Sequence, residues 1–493
     1  MSVSKADSPS DDGSAKGVIS PPYSRTTTLV ASPGSPLTPR GDVVVHRHYW
    51  RVASAFFCFF AIGWGDAATG VILPDFQATF HLNFIMASML FMTGSVGYAL
   101  ATFIVEPVAH VLGKFKLSAE RSGVPAVFTR DATGYSVSQG RYLSLFFFGI
   151  LHCIYFMVSA CSPHYYGVLI AFFIGGIGKS ILIAQLFVCL YARFSFDQVF
   201  SNVYWTTNPR CNGIALLHGT YGVGAFVSPL VSQTMRAHKF PWRGFFWVSL
   251  GLAVCNVFFI LFAFRTTPEE FATEKGLSVA SKALSQENHK QHDIETGSGM
   301  WAIICTPYVW VIATVLGTYQ GAETIAQGFI VSFLLRERHA DPNSVGYVAS
   351  GFWGGLALGR VIWGIVGPRF SQRVKIHYVN YMLGSWIDGS LFCTESLYSS
   401  LGHGIPRHHL EAGPIFPLVL DIATSRQKPG ESTALPVFSP DVQLTALAIG
   451  SSVGAMGGAT FSLTAGIVAN KHGAFAVEPL AMATLMFVFC FWQ

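Results

Sequence analysis

Apolar runs long enough to cross a bilayer recur along the chain, separated by short polar segments. A spanning helix needs about 20 apolar residues, and such runs lie at 52–74, 84–109, 142–161, 165–191, 213–234, 244–264, 301–320 continuing into 324–335, 345–367 and 442–469. Two more are incomplete: 412–424 is short, and 477–493 stops after 17 residues. A further span is expected between 376 and 400, where His377, Asp388 and Glu395 interrupt the apolar pattern. The pattern predicts an all-α polytopic membrane protein of about 12 spans, with the ninth and tenth irregular and the last truncated.

Polar stretches divide these runs. Residues 1–45 are rich in Ser, Pro, Thr and Gly with no apolar period, so burial cannot offset the entropy of ordering and a disordered tail is expected. No apolar core of a secretory signal precedes the first run. Residues 265–300, from TTPEEFATEKG to QENHKQHDIETGSG, separate six spans from six. The expected organisation is therefore a tail (1–45), a six-helix bundle (46–264), a central loop (265–300) and a second six-helix bundle (301–493). Cytoplasmic loops retain Lys and Arg. With the N-terminus inside, 22 of the 31 basic residues fall on the cytoplasmic side, so the tail and the central loop are expected in the cytosol. Which cell membrane holds the chain, plasma or vacuolar, is left open.

Composition agrees with the pattern. Only 12% of the 493 residues are charged and 51% are hydrophobic, against about 25% charged in ordinary soluble domains. The net charge of +5 comes from a small excess of basic residues with no stripe that could track phosphates, so nucleic acid is not an expected partner. Nine cysteines, several of them inside apolar runs and none in a C-x-x-C pair, read as small apolar side chains. His46 with His48, or His408 with His409, lacks the further Cys or His that a metal site requires, and no cofactor is expected. Gly178-Lys179-Ser180 resembles the end of a phosphate loop, but Phe173 stands where its first glycine belongs and no strand precedes it. With no cluster of acid, base and nucleophile either, an enzyme is not expected.

Ionisable groups at membrane depth cost about 2.5 to 3.5 kcal/mol on insertion scales, which makes each a functional candidate. Asp66 lies in the first run, in GWGDAATGVILPDF, and Glu323 in the seventh, in TYQGAETIAQGFIVSFL. They occupy corresponding places in the two halves. A carboxyl group facing a poorly hydrated cavity can carry a proton; the competing reading is an acid that accepts a hydrogen bond from a neighbouring helix. His218 and Gln185 are further candidates for a polar cavity. Trp64, Tyr221, Tyr319 and Trp353 are candidates to stack on a flat ligand face, although most aromatics must be packing or interface anchors. Lys179 is placed to pair with an acid across the bundle. Arg360 is expected to hold helix ends through carboxylates or carbonyls, as part of a gate. Glycines at four-residue spacing, such as Gly450, Gly454 and Gly458, let helices approach closely in lipid.

The strings GWGDAATGVILPDF, LLHGTYGVGAFVSPLV, GFWGGLALGRVIWGIV, GPIFPLVLDIATS and LTALAIGSSVGAMGGATF, set in two six-span halves, resemble the major facilitator superfamily. The nearest likeness is to its fungal bypass-of-stop-codon branch, which is similar to fucose-permease-type carriers. The resemblance implies two bundles related by a pseudo-twofold axis and a midplane site open to one face at a time. It further implies proton-coupled transport of a small polar solute, with a sugar as one option, and carries Asp66 and Glu323 over as cavity acids. The loop after the second span departs from the family's G-x-x-x-D-R-x-G-R-R pattern: it keeps Gly113 and Lys114, the candidate gating residues there, but lacks the Asp-Arg core. Residues 115–140, 197–212 and 371–411 are atypical, and read either as real loops or as the result of an imperfect gene model, which would leave the chain inactive. A transporter-like nutrient receptor is the other alternative.

Overall fold

A computed structural model describes residues 47–117, 128–130, 134–200, 213–289, 307–371, 373–383, 413, 415–424 and 440–492, all within the compact unit Val43–Gln493. The tail at 1–45 and much of 197–212 and 371–411 lie outside these residues.

The first set of long helices comprises α1 (His48–Phe80), α2 (Phe84–Thr102), α4 (Val137–Cys161), α5 (Tyr165–Phe200), α6 (Gly213–Ala237) and α7 (Trp242–Phe264). Between α2 and α4 lie the short helix α3 (Val105–Leu112) and an antiparallel hairpin of β1 (Phe115–Leu117) with β2 (Phe128–Arg130), in which Lys116 faces Thr129. After α8 (Pro268–His289), the second set comprises α9 (Pro307–Glu337), α10 (Tyr347–Val366), α11 (373–383), α12 (Ile415–Thr424), α13 (Pro440–His472) and α14 (Val477–Trp492).

Among the described residues, eight helices are long and apolar enough to cross a bilayer: α1, α2, α4, α5, α7, α10, α13 and α14. The 25-residue α6 and the 31-residue α9 fall outside that group. Their sequences carry His218, Gln233, Thr318 and Glu323, which are tolerated because both helices run among other helices. The run at 84–109 is broken after Thr102, because Glu106 and Pro107 suit the first turn of a new helix, α3. The two runs at 301–335 merge into the single helix α9.

Crossed pairs tie the two sets together. Helix α6 packs along α10, and α2 packs along α13. Exchanging the first set for the second turns one pair into the other, which is the relation a pseudo-twofold axis produces. Within the sets, α1 packs on α6 and α9 on α13 in the same corresponding way. Two of these crossings depend on missing side chains. A Cβ on Gly63 would strike the Tyr221 carbonyl, and one on Gly224 would strike the Phe60 carbonyl, so α1 and α6 touch backbone to backbone. Gly457 meets the Gly317 carbonyl between α13 and α9 in the same manner.

The polar stretch between the sets forms a docked helix. Thr267 caps α8: Glu270 N–H donates to Thr267 Oγ1 at 3.2 Å, and Thr267 N–H donates to Glu270 Oε2 at 3.2 Å, a reciprocal capping box. Arg51 of α1 donates to both Glu270 oxygens at 3.1 and 3.0 Å, and both side chains are buried. One turn on, Glu274 accepts from Ser136 Oγ at 2.6 Å, Ser138 N–H at 2.9 Å and Ser138 Oγ at 2.6 Å. A carboxylate there satisfies open amides and complements the dipole at the start of α4.

Two stability predictions follow from this packing. Glu270→Ala leaves Arg51 buried without its counter-charge, and a loss of about 3 to 5 kcal/mol is expected, read as a lower midpoint of thermal unfolding in detergent. Gly224→Leu should destabilise by about 1 to 3 kcal/mol or more through overpacking. Gly251→Leu, where an added Cβ meets nothing within 4 Å, should leave the same melting curve unchanged.

Candidate functional site

The matched acids near the middles of α1 and α9 each meet a cation from another helix. Asp66 Oδ1 accepts from Lys179 Nζ of α5, and Asp66 Oδ2 accepts from the Tyr221 hydroxyl of α6 at 3.0 Å. Glu323 accepts from Arg360 Nη2 of α10 at 3.2 and 3.3 Å, while Arg360 Nε donates to the Gly413 carbonyl at 3.0 Å. Tyr319, one turn before Glu323, hydrogen-bonds with this pair and is fully buried. Tyr221 packs against Trp353 of α10 and bonds through its hydroxyl to Asp66, so it belongs to the first centre at the contact with the second helix set.

The two pairs differ in access. The Lys179 and Asp66 side chains are 19% and 24% exposed, against 3% and 3% for Arg360 and Glu323. Solvent reaches the first pair and is excluded from the second. An enclosed ion pair holds only if its geometry is good and its remaining donors are used, conditions that the Gly413 carbonyl and Tyr319 help Arg360 to meet.

Around Asp66 stand residues that the sequence did not single out. The charge on Asp66 acts on Tyr98 of α2 and Tyr155 of α4, and that on Lys179 acts on His152 of α4. His152 is 1% exposed, and neither ring nitrogen has a hydrogen-bond partner among the described residues. The signal available was a lone histidine inside the apolar run 142–161, without the glycine neighbours that drew attention to Asp66. Trp353 is buried beside Tyr221, ring centroids 6.0 Å apart, with its indole N–H unpaired among the described residues.

The other candidates are distributed differently. His218 packs edge-on against Phe59 and Phe416, with centroids 6.2 and 5.3 Å away, and feels the Arg360 charge. Gln185 is buried in α5. Trp64 is turned away from Asp66: its indole N–H donates to Ser249 Oγ of α7 at 2.9 Å, and its ring stacks on Phe245 at 5.4 Å. Two residues along a helix place side chains on nearly opposite faces, which is why Trp64 and Asp66 diverge. Gly113 ends α3, where its carbonyl accepts from Ser136 N–H at 3.0 Å and an added Cβ would crowd the Ser136 carbonyl, and Lys114 follows it in the turn before β1.

Where α1 and α6 end, the two sets are joined by an apolar cluster of Val71, Val331, Leu334, Val345 and Ala349. Gln233 of α6, fully buried, donates to the Pro342 carbonyl at 3.0 Å and accepts from Gly346 N–H at 3.1 Å. A Cβ on Gly70 would collide with the Gln327 carbonyl. These contacts hold the two sets together at that end.

Glu323→Gln removes the counter-charge from an enclosed guanidinium, and a stability loss of about 3 to 5 kcal/mol is expected in thermal unfolding. The double variant Glu323→Leu/Arg360→Met should recover most of that loss, because two apolar side chains replace the pair.

No family model matches the chain. Bypass of stop codon protein 6 from Saccharomyces cerevisiae is 23% identical over 449 residues, covering 86% of this chain and 78% of that protein. The crystal structure of a D-xylose-proton symporter superposes with a TM-score of 0.58 at 12% identity, covering 90% of this chain and 97% of the other. The crystal structure of the nucleoside transporter NupG gives 0.59 at 11% identity, covering 91% and 98%. With its apolar helices and crossed helix pairs, the chain is a multi-pass helical membrane protein with the major facilitator fold.

Proposed function

We propose that the protein is a secondary active transporter that moves a small polar solute by alternating access, coupled to protons. The observation that carries this reading is the pair of matched acids, each held by a cation from another helix, with Tyr221 bonded to Asp66 at the seam between the two helix sets. Asp66, in the more exposed pair, is the proton carrier. When it is protonated, Lys179 and the Tyr221 hydroxyl are released, and the seam can rearrange. Glu323 and Arg360 are the enclosed counterpart in the second half. The resemblance to a proton symporter and a nucleoside transporter supports a solute of that size and polarity.

In this reading the halves 46–264 and 301–493 rock against each other across the α6–α10 and α2–α13 contacts. The end held together by Gln233 and the Val71 cluster is the external gate. The start of α1, with α8, faces the cytoplasm, in keeping with the distribution of Lys and Arg along the chain. Gly113, Lys114 and Arg360 belong to the parts that hold one state or the other.

Proteoliposomes containing the full chain should take up solute in response to an imposed inward proton gradient. Asp66→Asn and Glu323→Gln should each lower that gradient-driven accumulation by at least tenfold, measured with radiolabelled solute against protein shown to be folded by its melting curve. Wild-type rates in both variants would return the two acids to a purely structural role.

A further inference from the structure

We infer that the solute is a small hydroxylated organic anion, whose carboxylate takes the place of Asp66 as the partner of Lys179 once Asp66 is protonated. This rests on the proton-coupled reading above and names its substrate class.

Charge balance is the first argument. Among the described residues, the two acids and the two cations of the centre are paired, Asp66 with Lys179 and Glu323 with Arg360. Arg360 is fully engaged by Glu323, the Gly413 carbonyl and Tyr319, in an enclosed pair. Lys179 has one carboxylate partner among the described residues, Asp66, and that pair is the exposed one. The groups facing Asp66 are Lys179 from α5, Tyr221 from α6, Tyr98 from α2, and Tyr155 and His152 from α4; Glu323 of α9 and Arg360 of α10 lie beyond Tyr221. From α7 comes Ser249, which is bonded to Trp64. None of these neighbours can replace the lost negative charge. A neutral solute would leave the half-buried ammonium without its counter-charge, whereas a carboxylate restores the balance.

Unused donors are the second argument. His152 is 1% exposed with both ring nitrogens unpaired among the described residues, and its Nε2 lies 3.9 Å from where a Cβ on Gly65 would stand, one residue before Asp66. Trp353, also 1% exposed, packs on Tyr221 and its indole N–H has no hydrogen-bond partner among the described residues. Buried polar groups are nearly always paired, and a neutral imidazole carries one donor and one acceptor while indole carries a donor only. With the Lys179 ammonium, the site offers more donors than acceptors. It therefore suits a ligand rich in acceptor oxygens that also carries a hydroxyl for the imidazole acceptor.

The test compares two probes of nearly the same size and hydroxyl pattern, D-gluconate and D-glucose, in proteoliposomes of the full chain. One proton moving with one gluconate carries no net charge. Gluconate should therefore accumulate about tenfold per pH unit of gradient, and an imposed membrane potential should not change that. Glucose should not accumulate. If glucose accumulates instead, and about 59 mV of inside-negative potential raises its level tenfold, the anion inference falls while proton-coupled transport stands. If neither probe is taken up by folded protein and neither shifts its melting curve, both readings fail. Asp66→Asn supplies the distinguishing variant. It should retain stabilisation by gluconate and lose the pH dependence of that binding, because Lys179 is permanently released. Lys179→Gln should lose gluconate stabilisation while Lys179→Arg keeps it. Gluconate stabilisation that survives in Lys179→Gln would overturn the assignment.

Discussion

A charge enclosed among helices in a bilayer must find its opposite on another helix, and most of the architecture around the seam follows from that requirement. Glu323 is enclosed and Asp66 only partly exposed, so neither keeps a full water shell. Each is met by a cation whose own helix is thereby fixed in azimuth and depth: α5 through Lys179, α10 through Arg360. The same requirement acts outside the seam, where Arg51 and Glu270 fasten α8 to α1. Hydrophobic burial does little to choose one helix arrangement over another in lipid, because the tails are as apolar as leucine. Charge pairing and close backbone contact choose instead.

The twofold plan is respected in the backbone and broken in the chemistry. The acids correspond, and so do the glycine crossings of α1 on α6 and α9 on α13. Their partners do not: Lys179 comes from the fourth span of the first half, whereas Arg360 comes from the second span of the second half. One pair is open to water and the other is closed. The Tyr221 hydroxyl of α6 belongs to the first centre alone, where it bonds Asp66.

Much of this was legible in the sequence. Eight of the apolar runs return as helices long enough to span, and the pairing of Lys179 with an acid follows from the cost of buried charge. Arg360 does hold a carboxylate and a carbonyl, as its position in an apolar run suggested: the carbonyl is that of Gly413, just before α12, and the carboxylate is that of Glu323 near the middle of α9. The helix α8 was hidden by its polarity, although T-P-E-E is a capping box and could have been read as one. His152 and Gln233 were not separable from ordinary packing residues, because a lone polar side chain in an apolar run says nothing about which neighbour it meets. Trp64 was misleading for a geometric reason: it adjoins Asp66 in sequence and faces the other way in space.

That last feature limits how α1 can move. Its indole is bonded to Ser249 and stacked on Phe245, so spinning α1 about its long axis to re-aim the carboxylate would tear an enclosed N–H from its acceptor and unstack two rings. Pivoting α1 and α7 jointly, like two boards nailed face to face, breaks neither. The tryptophan thus acts as a dowel that converts a possible twist into a tilt.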